Sequence, residues 1–226
     1  TSPIEDTFDG RAFYAAKTAQ VGDKRMAFAW VPTKRGESDF GQYEWGGNFI
    51  AHEIDQTTDN KLIVKPVDEL INIFNKEVIN EKINKIEIEN YEGEKSYVID
   101  GMKDTCMIEA VIEFSEGVRS FGIGLRQDSA LANGYYLRFE PFYNRIVADM
   151  WPRRIRGVNQ WYVDGDKPFM VELERPFDYK SLKDNKVHIR VVADGSIICL
   201  YANDITALTM RAYNVNRTNW GFFVKD

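Results

Sequence analysis

The chain has 226 residues, enough for one large or two small domains, and its 44% hydrophobic and 28% charged content is that of a protein that folds around a core. A net charge of −6 argues against a nucleic-acid partner, which calls for a basic stripe. No apolar run reaches the roughly 18 residues of a membrane helix, so no membrane partner is expected, and two cysteines with two histidines offer no Cys/His metal motif.

In chain order, residues 1–65 read as one antiparallel meander of three or four strands. Asp9-Gly10 and Gly22-Asp23 are turn signals before Ala12–Ala16 and Arg25–Val31. Pro32 ends the second strand, a polar loop runs from Thr33 to Gln42, and further strands follow near Asn48–Glu53 and Lys61–Lys65. Residues 66–82 are the helical candidate and form a linker. Pro66 suits a first helical position, Asp68 and Glu69 suit a first turn, and Leu70, Ile71, Phe74 and Val78 follow a helical spacing.

From 83 to 226 the chain reads as strands, beginning at Ile83, Ile86 and Ile88. Cys106, Ile108, Ala110, Ile112 and Phe114 share one face, with Glu109 and Glu113 on the other. Later strands are expected at Phe121–Leu125, Phe169–Glu174, Val187–Val192, Ile197–Tyr201, Thr206–Ala212 and Trp220–Val224, with Asn133-Gly134 and Asp194-Gly195 as turns. The expected fold class is all-β: a jelly-roll or concanavalin-like β-sandwich over 83–226, preceded by the small antiparallel meander and the short linker helix. Cys106 and Cys199 each sit in an alternating apolar run and read as small core residues, with a disulfide between them left open. The first residue is neither an initiator Met nor part of a signal peptide, so the chain is read as a piece of a longer protein and its compartment is left open.

The richest stretch for function is Tyr135–Pro141 followed by Asn144–Arg153. Alternation puts Tyr135, Leu137 and Phe139 on one side of the first strand and Tyr136, Arg138 and Glu140 on the other. The second strand places Arg145, Val147, Asp149 and Trp151 together. Two readings fit such a face: a sugar-binding surface, where rings cover C–H faces and charged planar groups grip hydroxyls, or a solvated sheet face with salt bridges. The basic spot Arg153, Arg154 and Arg156 reads as a solvated loop.

No signature of a reaction centre appears. There is no nucleotide loop, no Gly-x-Ser-x-Gly elbow and no zinc motif. His188 alternates with apolar neighbours and reads as exposed; His52 sits in a strand beside Glu53. A glycosidase needs two carboxylates about 5–10 Å apart, and no pair stands out by spacing. No catalytic residue, metal ligand or cofactor is therefore assigned.

Three strings in the first half resemble a known family: Phe8-Asp9-Gly10-Arg11-Ala12-Phe13-Tyr14-Ala15-Ala16-Lys17-Thr18, Arg25–Trp30, and Tyr43-Glu44-Trp45-Gly46-Gly47-Asn48. Together they look like the last propeller blade of a glycoside hydrolase family 32 enzyme, the family of invertases, levanases and inulinases. Glu109–Phe121, Tyr135–Arg153, Val171–Pro176 and Asp194–Asp204 resemble that family's C-terminal β-sandwich. The family carries its catalytic carboxylates in Asn-Asp-Pro, Arg-Asp-Pro and Glu-Cys strings, none of which occurs here.

The resemblance implies a non-catalytic C-terminal region that stabilises the propeller of a fructoside-hydrolysing parent. Its implied partners are the N-terminal catalytic propeller of the same parent chain and a fructose-containing oligo- or polysaccharide. Trp45 and Glu44 would line a sugar subsite of the intact parent. The alternative implied role is a fructan-binding module, with Arg138, Glu140, Arg145, Asp149, Trp151, Glu174 and Arg175 as candidate contacts.

Overall fold

A computed structural model describes residues 8–88, 93–151 and 173–225. Among the described residues, fourteen strands form three antiparallel sheets. The N-terminal sheet holds β1 (Tyr14–Val21), β2 (Lys24–Lys34), β3 (Tyr43–Gln56) and β4 (Leu62–Lys65) in simple meander order. A six-stranded sheet runs in the order β10-β9-β8-β7-β14-β5, where β5 is Glu94–Ile99, β7 Ser120–Gln127, β8 Gly134–Glu140, β9 Arg145–Trp151, β10 Leu173–Pro176 and β14 Asn219–Lys225. The third sheet runs β13-β12-β11-β6, from Thr206–Arg211, Ile197–Ala202, Lys186–Asp194 and Thr105–Glu113 respectively.

The third sheet is the middle layer, because both of its faces are apolar. On β11, Val187, Ile189, Val191 and Ala193 are fully buried on one face. They meet Ile123, Leu125, Leu137, Phe139 and Ile146 of the six-stranded sheet in the main core. The other face of the middle sheet presents Val192, Cys199, Tyr201 and Ala207, which pack with Val64 and Ile50 of the N-terminal sheet in a second core. The period of two thus writes both interfaces into the same strands. The fold is all-β, a sandwich with a four-stranded meander against its outer face, as the alternation predicts.

The linker departs from expectation. The helix over 66–82 shrinks to one turn, α1 (Asp68–Ile71), with no side-chain cap at Val67. Leu70, Ile71 and Phe74 are spaced as on a helix, but they serve to pack on the second core. One uncapped turn with asparagines after it cannot offset the nucleation cost of a longer helix. Asp68 instead anchors to Lys24 Nζ at 2.7 Å. Ile83, Ile86 and Ile88 lie in no strand, and the next strand is β5. The start of the strand expected at Phe169–Glu174 lies outside the described residues, as do Arg153, Arg154 and Arg156. Both cysteines are free thiols on opposite faces of the middle sheet, so the disulfide left open above does not form.

Candidate functional site

The hairpin β8–β9 forms as its sequence suggests. Pro141 opens a short 3-10 turn, and Asn144 closes it at φ 48°, a left-handed conformation that asparagine tolerates. Register pairs Glu140 with Arg145, Arg138 with Val147 and Tyr136 with Asp149. These side chains share the face of the six-stranded sheet that points away from the middle sheet.

On that face the charges form a chain of ion pairs. Arg138 donates from Nε to Glu140 Oε1 at 2.6 Å and from Nη1 to Asp149 Oδ2 at 3.2 Å. Arg145 donates from Nε to Glu140 Oε2 at 2.6 Å and from Nη1 to Glu174 Oε2 at 2.7 Å. Both Glu140 oxygens are therefore taken by guanidinium groups. Burial alone would raise the Glu140 pKa, but the bonds from Arg138 and Arg145 outweigh it and hold the carboxyl below its usual range. Trp151 stands 54% exposed at the end of β9.

Arg175 does not belong to this group. It pairs with Ile146, whose side chain lies in the core, so it points to the opposite face from Glu174. Adjacent strand residues cannot share a face, and Arg175 is accordingly buried.

Glu44 and Trp45 lie on a different sheet. Trp45 is part of a ring cluster at one end of the N-terminal sheet, 4.4 Å from Tyr14 and 5.8 Å from Tyr43 between centroids. Tyr14 also contacts Trp30. Glycine at 47 is required here, because a Cβ would stand 1.9 Å from the Val31 carbonyl oxygen. Glu44 approaches Arg35 Nε at 3.5 Å on the surface.

A set of residues that the sequence did not bring forward occupies the seam between the N-terminal and middle sheets. Asp9, read above as a turn signal and as part of the blade-like string, accepts from the Thr209 backbone N–H at 2.7 Å and from the Thr209 hydroxyl. Its Oδ2 lies 2.9 Å from His52 Nε2, and His52 Nδ1 lies 2.9 Å from the Tyr201 hydroxyl. The set is self-consistent with the imidazole proton on Nε2 and Tyr201 donating to Nδ1. His52 is fully buried and stacks on Phe13 at 4.5 Å.

Asp9, His52 and Cys199 also bring three ligand-type atoms within 4.8 Å of one another. They do not read as a metal centre. The carboxylate is occupied by protein donors, and burial pushes the Cys199 thiol pKa far up, whereas a metal ligand must be a thiolate.

Two more contacts cross the seam. Arg211 donates to the Pro32 and Val31 carbonyls at 3.1 and 2.7 Å, to Asn48 Oδ1 at 2.8 Å and to Ser196 Oγ at 2.7 Å. Asp39, from the loop after β2, accepts from the Tyr135 hydroxyl at 2.5 Å and from Asn214 Nδ2 at 2.6 Å.

The family model described as "Glycosyl hydrolases family 32 C terminal" matches residues 69–226. Exo-inulinase from Aspergillus awamori aligns with TM-score 0.65 and 14% identity, over 97% of this chain and 42% of that one. Fructan 1-exohydrolase IIa from Cichorium intybus aligns with TM-score 0.59 and 15% identity, over 97% of this chain and 46% of the other. Sucrose-6-phosphate hydrolase from Lactobacillus gasseri aligns with TM-score 0.57 and 14% identity, over 98% and 42%. At such identities the likeness establishes the fold alone. The chain spans less than half the length of these structures. No curated protein sequence matches it.

Proposed function

The chain belongs to glycosyl hydrolases family 32, of which it carries the C-terminal domain, and on that premise we propose that it is a non-catalytic module of a larger fructoside-hydrolysing enzyme. In this reading the sandwich is a rigid mount. It holds the N-terminal sheet as the last blade of a catalytic propeller formed by the rest of the parent chain. The boundaries 1–65, 66–82 and 83–226 are the proposed division into blade, linker and sandwich.

The observation that carries the reading is the seam. Three polar contacts join the N-terminal sheet to the sandwich, buried at Asp9–His52 and Arg211 and half-buried at Asp39. A buried hydrogen bond to a charged group contributes about 1.5–3 kcal/mol, and losing one partner costs the other its solvation. The free side of the sheet also suits further chain: β1 is exposed along all eight residues, and its outer edge pairs with no strand among the described residues. In the intact parent, Trp45, backed by Tyr14 and Tyr43, and Glu44 would line a sugar subsite.

The alternative, a fructan-binding module on the charged face of the six-stranded sheet, has less support. Arg138, Arg145, Glu140, Asp149 and Glu174 bond one another, so a sugar would have to break ion pairs to be gripped. Fructose release from sucrose, levan and inulin tests the main reading. This chain alone should release none, and the same chain joined to its upstream blades should release fructose. Turnover by the isolated chain would overturn the non-catalytic assignment.

A further inference from the structure

The stretch 75–88 lies between the N-terminal sheet and the sandwich and has no regular structure. Every residue from 75 to 82 is exposed, Val78 to 75%. No backbone hydrogen bond among the described residues involves 76–88. One side-chain bond ties the stretch to the body among those residues, from the Tyr97 hydroxyl to Glu81 Oε2 at 2.8 Å. The bonds of Asn80 to Glu77 and of Lys85 to Glu87 stay within the stretch. Exposed backbone that opens without breaking hydrogen bonds is where proteases cut, because they take their substrates extended. The sequence places Lys76, Lys82 and Lys85 on it.

Both ends are fastened without the stretch. Upstream, Asp68 pairs with Lys24, and Phe74 packs on the second core. Downstream, β5 pairs with β14 along Glu94–Ile99. A cut between them frees no strand of any sheet.

The seam then holds the two pieces together. Arg211, downstream of the cut, donates to the Val31 and Pro32 carbonyls upstream of it. The Lys34 N–H donates to the Tyr213 hydroxyl at 2.8 Å, and the Val64 N–H donates to the Ile205 carbonyl at 2.9 Å. The second core closes around them, with Val64 and Ile50 on one piece and Val192, Cys199 and Ala207 on the other. What the linker adds is local concentration, about a millimolar for a short flexible tether. At micromolar protein a cut therefore dilutes one piece relative to the other by about a thousandfold, and an interface of buried bonds and an apolar core withstands that.

We propose that this stretch is a processing site for an endoprotease that cuts after lysine, and that the nicked chain persists as a two-chain particle. The step is hydrolysis of one peptide bond, after Lys76 or Lys82. Water gives its hydroxyl to the lysine carbonyl carbon and a proton to the departing amide nitrogen, so a carboxyl and an amine replace the amide. The proposal rests on the seam and not on the mounting role.

Brief digestion of the 226-residue chain with a lysine-specific endoprotease, read by denaturing and then native mass spectrometry, tests it. Among the lysines of the described residues, the first cuts are expected at Lys76 and Lys82. Lys61, Lys103 and Lys183 are exposed too, but backbone bonds at or beside them hold their turns, so they should be cut later. Native spectra at micromolar protein should show both pieces as one particle. Replacing the three exposed linker lysines by Gln spares the fold and should leave the stretch uncut. Arg211→Ala should make the nicked pieces separate at concentrations where the wild-type pair holds. Earlier cutting at Lys61, Lys103 or Lys183, or wild-type pieces that come apart at micromolar protein, would overturn the proposal.

Discussion

Two regions concentrate charged and polar side chains, and they differ in what they connect. On the outer face of the six-stranded sheet, five groups from β8, β9 and β10 satisfy one another between neighbouring strands. Breaking that network disturbs strands already held by backbone ladders. At the seam, Asp9, His52, Arg211 and Asp39 bond to groups far away in sequence, on another sheet and often on backbone. There, one side chain is the connection. The conspicuous charge cluster is local, while the inconspicuous one ties distant parts of the chain together.

The largest expected effect breaks the seam. Arg211→Ala strands the Pro32 and Val31 carbonyls and Asn48, and should cost about 3–4 kcal/mol in urea unfolding. His52→Phe keeps the ring against Phe13 but removes one partner each from Asp9 and Tyr201; a loss of about 2–3 kcal/mol is expected by the same measurement.

On the charged face the effect should be smaller and dependent on pH. The folded-state pKa of Glu140 is depressed below its ordinary value of 4.5. Its stabilisation is therefore complete above that value and lost as pH falls through the folded-state pKa. Glu140→Gln should cost less than about 2 kcal/mol at neutral pH. The gap between wild type and variant should close in acid, read from unfolding midpoints across pH. A gap that widens in acid would show the sign to be wrong. Smallest of all, Trp151→Ala should change stability by less than about 0.5 kcal/mol, because the ring is mostly exposed.

Local pattern carried much of the fold. Alternation located β6, β11 and β12, and the Tyr135–Trp151 hairpin formed with the predicted faces. It also grouped Arg138, Glu140, Arg145 and Asp149 correctly. Arg175 was misplaced because it was grouped with its neighbour Glu174 without applying the parity of the strand. Leu70, Ile71 and Phe74 mimicked a helix because a one-turn segment lying on a sheet can use the same spacing. The seam was illegible for a different reason. His52 and Tyr201 are 149 residues apart, and Asp9 and Thr209 are 200 apart. Only the strand pairing brings them together. The available signal was a single histidine after the apolar run Phe49-Ile50-Ala51 in one strand and a tyrosine in another, which one sequence cannot pair.

In the proposed role the N-terminal sheet and the sandwich are one mechanical unit. Native-state hydrogen exchange measures this directly. The account predicts that amides of β2–β3 and of β11–β12 open with the same free energy, and that Arg211→Ala lowers both together. If β2–β3 exchanged through a separate, cheaper opening that Arg211→Ala left untouched, the sandwich would not be a mount for the sheet, and the proposed role would be contradicted.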